Sequence, residues 1–287
     1  MMLAIARTAC FCLGLVILPA MATPAAADQD ALGAFVARKA GVLELLHGKA
    51  EKALVTAAQD QTFGQHFHAH SEEERAALRG RIDQITLAVQ RQFAVEEMCL
   101  IGENGAEISR IVGNEIAYDL ATNEADAIFF KPGFAQAPRT VYISPIYMSA
   151  DALRWVTAYV TPIVVAGEKK AILHYEHGLD FYEKTLNSGV DQAGPRVLLT
   201  VTKDGWVIFD SRKNIPIEQV DDSAHPADYF EAFSLGGVTL DEVMRAIGAE
   251  QGAGAGSVTT PDGKNWDVAL KHVEDWILLA FEPAGPA

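Results

Sequence analysis

The stretch from Val141 to Leu179 most constrains the fold, because it contains three apolar runs separated by two short polar breaks. The breaks, MSADALR and AGEK, are typical of turns, so the stretch predicts an antiparallel meander. Strand side chains alternate between the two faces of a sheet, so each run can be sorted by parity. In the middle run one parity carries Trp155, Thr157, Tyr159 and Thr161, and the other carries Val156, Ala158, Val160 and Pro162.

The third run divides in the same way. One parity carries Ile172, His174 and Glu176, and the other carries Ala171, Leu173 and Tyr175. We therefore expect a sheet with one aliphatic face that packs on a helix and one face of Trp, Tyr, Thr, His and Glu. The second face is suited to hold a small polar ligand.

The order of these residues resembles the ligand-binding module of double Cache (PDC) sensor domains. YISPIYM contains the S-x-x-Y strand end of that family, and RWVTAYVTPI contains its W-V-x-x-Y-x-x-P-I strand. AILHYEHGLDF is similar to its GVVGIDISL-like strand. The resemblance implies an α+β fold in which two PAS-like antiparallel-sheet modules stack along a long N-terminal helix, and it covers nearly the whole mature chain.

The resemblance also implies ligand-binding residues. It places Glu176 where family members often have an Asp that binds a ligand ammonium group, with Tyr147, Trp155, Tyr159 and His174 as candidate neighbours. A carboxylate beside aromatic rings suits an amine through a charge-assisted hydrogen bond and cation-π contacts. The alternative is that Glu176 pairs internally with His174 or Arg154 and binds nothing.

The opposite end of the expected pocket departs from the family pattern. Amino-acid-binding members carry an Arg-x-Trp-Tyr motif, whose Arg grips the ligand carboxylate. This chain has FFKPGF from Phe129 to Phe134, within a segment that covers the front of the sheet in the resembled family. Lys131 and Arg139 are the candidate replacements, although neither stands at a matching motif position.

The first 27 residues have one Arg, an apolar centre and a small-residue end, which together predict a secretory signal peptide and a periplasmic protein. An uncleaved anchor is the alternative. Cleavage would leave Cys99 as the sole cysteine, expected to be a buried apolar residue. The formal charge of the mature chain is about −16, which disfavours nucleic acid and anionic lipid. No later run is long enough to predict stable membrane insertion.

Residues 28–95 are expected to form a long helix and a covering helix, the latter from Glu72 to Phe93 with a Ser71 and Glu74 capping box. Residues 96–187 are then the membrane-distal-type, ligand-binding Cache module, and residues 194–283 the proximal-type one. In the second module Thr239 caps a helix, and the GAGAG run, Gly252 to Gly256, is expected to be a flexible connection. Because that run follows a helix, it does not predict a dinucleotide site, and no cofactor is expected.

His66, His68 and His70 stand at alternate positions and are weak candidates for metal binding. On a helix only His66 and His70 share a face, and no motif supplies further ligands. We therefore expect a solvated junction between two helices and no resident metal.

No nucleophile elbow, zinc helix, Walker sequence or haem motif occurs, so an enzyme is not expected. The sequence predicts a small-molecule-binding sensor-type protein without its own output domain. Its ligand is an amine, an amino acid or a small organic acid, and its partner a membrane receptor, a kinase or a transporter. The alternatives are a structural or assembly partner with a vestigial pocket, and a His-rich metal-binding protein.

Overall fold

A computed structural model describes residues 24–93, 96–118, 123–150, 152–213, 225–250 and 252–285. Most of the expected signal peptide lies outside these residues. The helices are α1 Pro24–Ala57, α2 Gln61–His68, α3 Glu72–Phe93, α4 Phe130–Ala135, α5 Leu179–Asn187, α6 Pro226–Tyr229 and α7 Leu240–Ala246. None of these helices is both long and apolar enough to cross a membrane.

Two antiparallel sheets account for the strands. The first sheet contains β1 Glu97–Gly102, β2 Glu107–Val112, β3 Glu115–Ile116, β4 Tyr142–Ile143, β5 Tyr147–Ser149, β6 Arg154–Val165 and β7 Glu168–Gly178. Its order is β3-β2-β1-β7-β6-β4, and β5 also pairs with β6. The second sheet contains β8 Val197–Thr202, β9 Val207–Asp210, β10 Ala253–Thr259, β11 Asn265–Val273 and β12 Trp276–Pro283, in the order β10-β11-β12-β8-β9. The expected α+β class, a long N-terminal helix with two antiparallel sheets, is confirmed.

Local sequence signals account for several of these boundaries. Helix α3 spans the predicted residues, and the Ser71 hydroxyl accepts a hydrogen bond from the Glu74 backbone N–H at 3.1 Å. Thr239 and Glu242 form a reciprocal capping box at the start of α7. Such caps satisfy the backbone N–H groups that a helix leaves unpaired in its first turn.

The GAGAG run is not a flexible connection, and that expectation was wrong. It begins β10, which pairs with β11 from Ala253↔Lys271 onward. The small residues let other elements pack closely on this strand. A methyl group at Gly254 would lie 2.7 Å from the Ala249 Cβ and 2.8 Å from the Ile247 carbonyl oxygen.

Helix α1 is packed between the two sheets. Its N-terminal half shares a core with α5 and the second sheet, through residues such as Leu32, Val36 and Leu43. Its C-terminal half contributes Ala50 and Leu54 to the core between the first sheet and α3. We call the face of the first sheet toward α1 the back face, and the opposite face the front face.

Four polar side chains form a hydrogen-bonded chain on the back face. The His47 imidazole of α1 bonds to the Tyr159 hydroxyl of β6, which lies 2.7 Å from the Tyr182 hydroxyl of α5. The His177 Nδ1 of β7 lies 3.0 Å from the same Tyr182 hydroxyl. Burial lowers the pKa of both His47 and His177 to about 4, so both imidazoles are neutral at pH 7.

We expect the free energy of unfolding to fall as the pH decreases from about 6.5 to about 4. In this window a histidine of the unfolded chain binds a proton and the buried one does not, so protons favour the unfolded state. The loss is on the order of 2 to 3 kcal/mol for each such histidine at the lower end of this range. Urea unfolding at pH 7 and pH 4.5 measures it.

The variant His47→Gln removes one of these groups and should reduce the difference in stability between the two pH values. His68→Gln, at an exposed position of α2, is the matched control and should keep the wild-type difference. An unchanged pH dependence in His47→Gln would contradict the assignment.

Candidate functional site

The register between β6 and β7 decides which side chains share a face. Near the turn Val164 pairs with Lys169, but Ile163 pairs with Ala171, so Lys170 is an extra residue in β7. Such a bulge shifts the register by one residue and moves every later side chain of the strand to the other face. It places His174 opposite Val160 and Glu176 opposite Ala158.

The expected polar face is therefore wrong for its four members on β6, and two of these, Trp155 and Tyr159, were predicted site residues. Tyr159 pairs with Tyr175 on the back face, where its hydroxyl belongs to the chain of hydrogen bonds with His47. Trp155 is buried, and its ring packs edge-on against Phe230 at a centroid distance of 5.0 Å. Neither side chain lies on the face that carries Glu176, so both have a packing role in this structure.

A different set of polar side chains meets on the front face. Strand β1 brings Glu97 opposite Glu176 and Cys99 opposite His174, and β2 brings Arg110 opposite Cys99. We call these side chains the front-face polar cluster. Its members are Glu97, Cys99, Glu107, Arg110, Tyr147, His174 and Glu176.

An ion pair joins β1 and β2 within this cluster. The Arg110 Nε donates to the Glu97 Oε1 at 2.8 Å and lies 3.7 Å from the Glu107 Oε1. The Cys99 thiol donates to the same two carboxylates at 3.4 and 3.5 Å. Cys99 is buried as expected and belongs to an apolar cluster with Val160 and Ile172, while its thiol lies beside the two carboxylates.

Tyr147 and His174 lie beside Glu176. The Tyr147 hydroxyl donates to the Glu176 Oε1 at 2.5 Å and lies 3.5 Å from the His174 Nε2. The His174 Nε2 is 3.8 Å from the Glu176 Oε1, which is too far for a hydrogen bond, so the internal hydrogen bond to this oxygen comes from Tyr147 and not from His174. Arg154, the other internal partner considered, instead bonds to Glu96 at 3.1 Å.

Burial keeps three members of the cluster uncharged. Burial lowers the pKa of His174 to about 3, so its imidazole carries no charge at pH 7. Burial and then the Glu176 carboxylate raise the pKa of Tyr147, and burial and then Glu97 raise that of the Cys99 thiol. These three groups are therefore neutral at pH 7 and take part in the cluster as hydrogen-bonding groups.

A short segment covers the cluster. Phe129, just before α4, stacks on the His174 imidazole with the ring centroids 3.9 Å apart. Phe129 and Phe130 pack with Val160 and Ile172 in a small apolar core on the front face. The segment expected to lie over the front of the sheet does so, and its aromatic ring fills the space above His174.

Lys131 and Arg139, the two candidates for binding a ligand carboxylate, do not belong to the cluster. Lys131 is 80% exposed and its ammonium is 3.8 Å from Asp126. Arg139 is exposed, adopts a positive φ of 66° and lines a separate cavity of about 370 Å³ with Asp60 and Thr161. Arg110 is the guanidinium on the front face, and its partners there include Glu97 and Glu107.

The three weak metal candidates are not brought together. His66 is buried on α2 against Phe67, whereas His68 and His70 are exposed, so the expectation of a wholly solvated junction does not hold for His66. In the part of the chain that the structure describes, one set of three potential ligand groups lies within 4.8 Å, and it is Glu97, Cys99 and Glu107. The Arg110 guanidinium already lies against two of these groups.

Four members of the cluster were not predicted from the sequence as site residues: Glu97, Cys99, Glu107 and Arg110. A usable signal was present, because Glu97 stands in an apolar strand and Glu107 and Arg110 stand near the start of the next. Charged residues in buried strands need polar partners, so they tend to meet across a hairpin.

The fold with its long helix and two modules is that of double Cache sensor domains. The sensory domain of the Campylobacter jejuni chemoreceptor Tlp3 with isoleucine bound superposes with a TM-score of 0.66 at 10% identity, covering 90% of this chain and 93% of that one. The Tlp3 domain in complex with L-norvaline gives 0.66 at 10%, covering 91% and 92%.

The sensor domain of the Vibrio cholerae histidine kinase DctB gives a TM-score of 0.59 at 11% identity, covering 91% of this chain and 98% of that one. No protein-family model and no curated protein matches the sequence. At these identities the likeness establishes the fold.

The close packing of α4 on the front face rests on Gly133. A methyl group at this position would lie 2.3 Å from the Val160 Cγ1, so Gly133→Ala must push α4 away from β6. We expect a loss of about 1 to 3 kcal/mol in the free energy of unfolding, typical of overpacking, measured by urea denaturation. Gly80→Ala, at an open position of α3, is the control and should stabilise the protein by about 0.5 to 1 kcal/mol. Equal stability of Gly133→Ala and the wild type would contradict the packing.

Proposed function

We propose that the protein is an extracytoplasmic sensor-type protein that binds a cationic, amine-bearing small molecule at the front-face polar cluster. The observation that carries this proposal is the excess of carboxyl groups over cationic side chains among the members of the cluster. Glu97, Glu107 and Glu176 are buried together, and the cluster contains one guanidinium, that of Arg110. Its histidine is neutral because burial lowers its pKa to about 3.

Buried carboxylates are costly unless a positive charge or several hydrogen bonds compensate them. A ligand ammonium would supply both a charge and up to three donors, which is the chemistry that a carboxylate excess favours. Glu176 is the residue we assign to it, with the Tyr147 hydroxyl and the His174 imidazole as polar neighbours. The proposed site therefore contains three of the predicted site residues, Tyr147, His174 and Glu176. Trp155 and Tyr159 are assigned to the core.

The similar structures support a sensory role. Tlp3 is a chemoreceptor whose domain was solved with isoleucine and with L-norvaline, both of which carry an ammonium group, and DctB is a histidine kinase. We accordingly propose that this protein presents its ligand to, or senses beside, a membrane receptor, kinase or transporter. The proposed location is the periplasm, in keeping with the predicted signal peptide.

Thermal unfolding against amines, amino acids, carboxylates and divalent metals tests the ligand class. A ligand at one hundred times its dissociation constant adds about 2.7 kcal/mol of stability. For a chain of this size that raises the melting temperature by roughly 5 °C or more. We expect amines to give this shift, and Glu176→Gln to abolish it.

Glu168→Gln is the matched control, since Glu168 stands on the same strand and is exposed. It should leave the amine response unchanged. Survival of the response in Glu176→Gln would show that this carboxylate does not hold the ligand. Stabilisation by no compound, together with co-purification of a protein partner, would favour the structural or assembly role. Stabilisation by Zn²⁺ or Cu²⁺ alone would favour a metal-binding function.

A further inference from the structure

A cavity of about 380 Å³ lies between the two modules. The first module contributes Ile128 and residues 145–147 to its wall. The second module contributes residues 202–204, Trp206, His225, Pro226 and residues 275–276. Pockets for small molecules commonly have about 300 to 1,000 Å³, so the cavity has the size of a compact ligand.

Most of the exposed lining of the cavity is apolar, and its polar members are Tyr147, Thr202, Lys203, Asp204, His225 and Asp275. Ile128, Ile146, Trp206 and Trp276 supply aliphatic and aromatic surface, and Ile128 is 48% exposed. The Lys203 ammonium bonds to both carboxylate oxygens of Asp275, at 3.0 and 2.9 Å. The lysine charge is therefore already matched, and the cavity favours a hydrocarbon or aromatic body over an anionic group.

Tyr147 and the segment of Ile128 and Phe129 connect this cavity with the front-face polar cluster. Tyr147 lines the cavity with its half-buried ring, while its hydroxyl bonds to Glu176. Ile128 lines the cavity, and the next residue, Phe129, stacks on His174. The Phe129 and Tyr147 rings are 5.8 Å apart. The cavity thus reaches the carboxylates through Tyr147.

We propose that the cavity between the modules is the entrance and the apolar subsite for the ligand. The hydrocarbon part of the ligand fills the cavity, and its ammonium replaces the Tyr147 hydroxyl on the Glu176 carboxylate. This inference rests on the proposed function and makes it more specific. The ligand class is a primary amine with an aliphatic or aromatic body, and not an amino acid whose carboxylate needs a cation of its own.

Titration calorimetry with ethylamine, butylamine and hexylamine tests this inference. Burial of a methylene group in an apolar site is expected to strengthen binding by up to about fourfold. Affinity should therefore rise steeply from ethylamine to hexylamine in the wild type. Trp206→Ala should weaken hexylamine binding much more than ethylamine binding, whereas Glu176→Gln should weaken both.

Ile128→Ala is a second cavity variant, chosen because a half-exposed side chain contributes little to folding. It should also reduce the increase in affinity from ethylamine to hexylamine. Leu45→Ala is the matched control, since Leu45 is 57% exposed on α1 and does not line the cavity. It should keep the wild-type dependence on chain length.

The outcomes separate the two proposals. Ethylamine and hexylamine affinities within about twofold of each other, or an unchanged ratio in both cavity variants, would overturn the apolar subsite and leave the amine site at Glu176 intact. Loss of ethylamine binding in Glu176→Gln supports the amine site in either case. If no alkylamine binds the wild type, both the amine site and the subsite are overturned.

Discussion

The hydrogen bond between His47 and Tyr159 joins the long helix to the first sheet in the buried interior of the protein. His47 stands on α1 and Tyr159 on β6, and both are buried. The His47 ring also lies 5.8 Å from the ring of Trp276, which begins the last strand of the second sheet. Buried polar groups are strongly favoured to keep their partners, so this contact fixes the helix against both sheets at one point.

The location of the candidate site follows from that anchor. Because side chains alternate along a strand, Tyr159 on the back face requires Ala158 and Val160 on the front face. The register then places Glu176 and His174 beside those two residues, away from α1. On the back face His47, Tyr159, Tyr182 and His177 form hydrogen bonds with one another. The front face receives the carboxylates instead.

The sequence was sufficient for elements that local signals define, and insufficient where one residue of register matters. The caps at Ser71 and Thr239 and the meander were predictable from side-chain chemistry and periodicity, whereas the two antiparallel sheets along a long helix were expected from the resemblance to double Cache domains. Whether Tyr159 and Glu176 lie on the same face could not be predicted. The sequence shows which residues of one strand share a face, but it does not show which face of the neighbouring strand lies beside them. Unbroken pairing from Val165↔Glu168 would put Tyr159 opposite His174, as expected, but the extra residue Lys170 reverses this relation. A one-residue bulge leaves no clear mark in composition.

The two kinds of element that build the site differ in how firmly they are held. Glu97 and Glu176 stand on β1 and β7, which pair with neighbours on both sides, whereas Tyr147 and Phe129 stand on or beside elements of three and six residues. In the proposed binding mode the ligand displaces the short elements and leaves the carboxylates in place. Tyr147 follows Ile146, and Ile146 lines the cavity between the modules together with Trp276 of the second sheet. The proposal therefore makes β5 the element through which the ligand would act on the contact between the two modules.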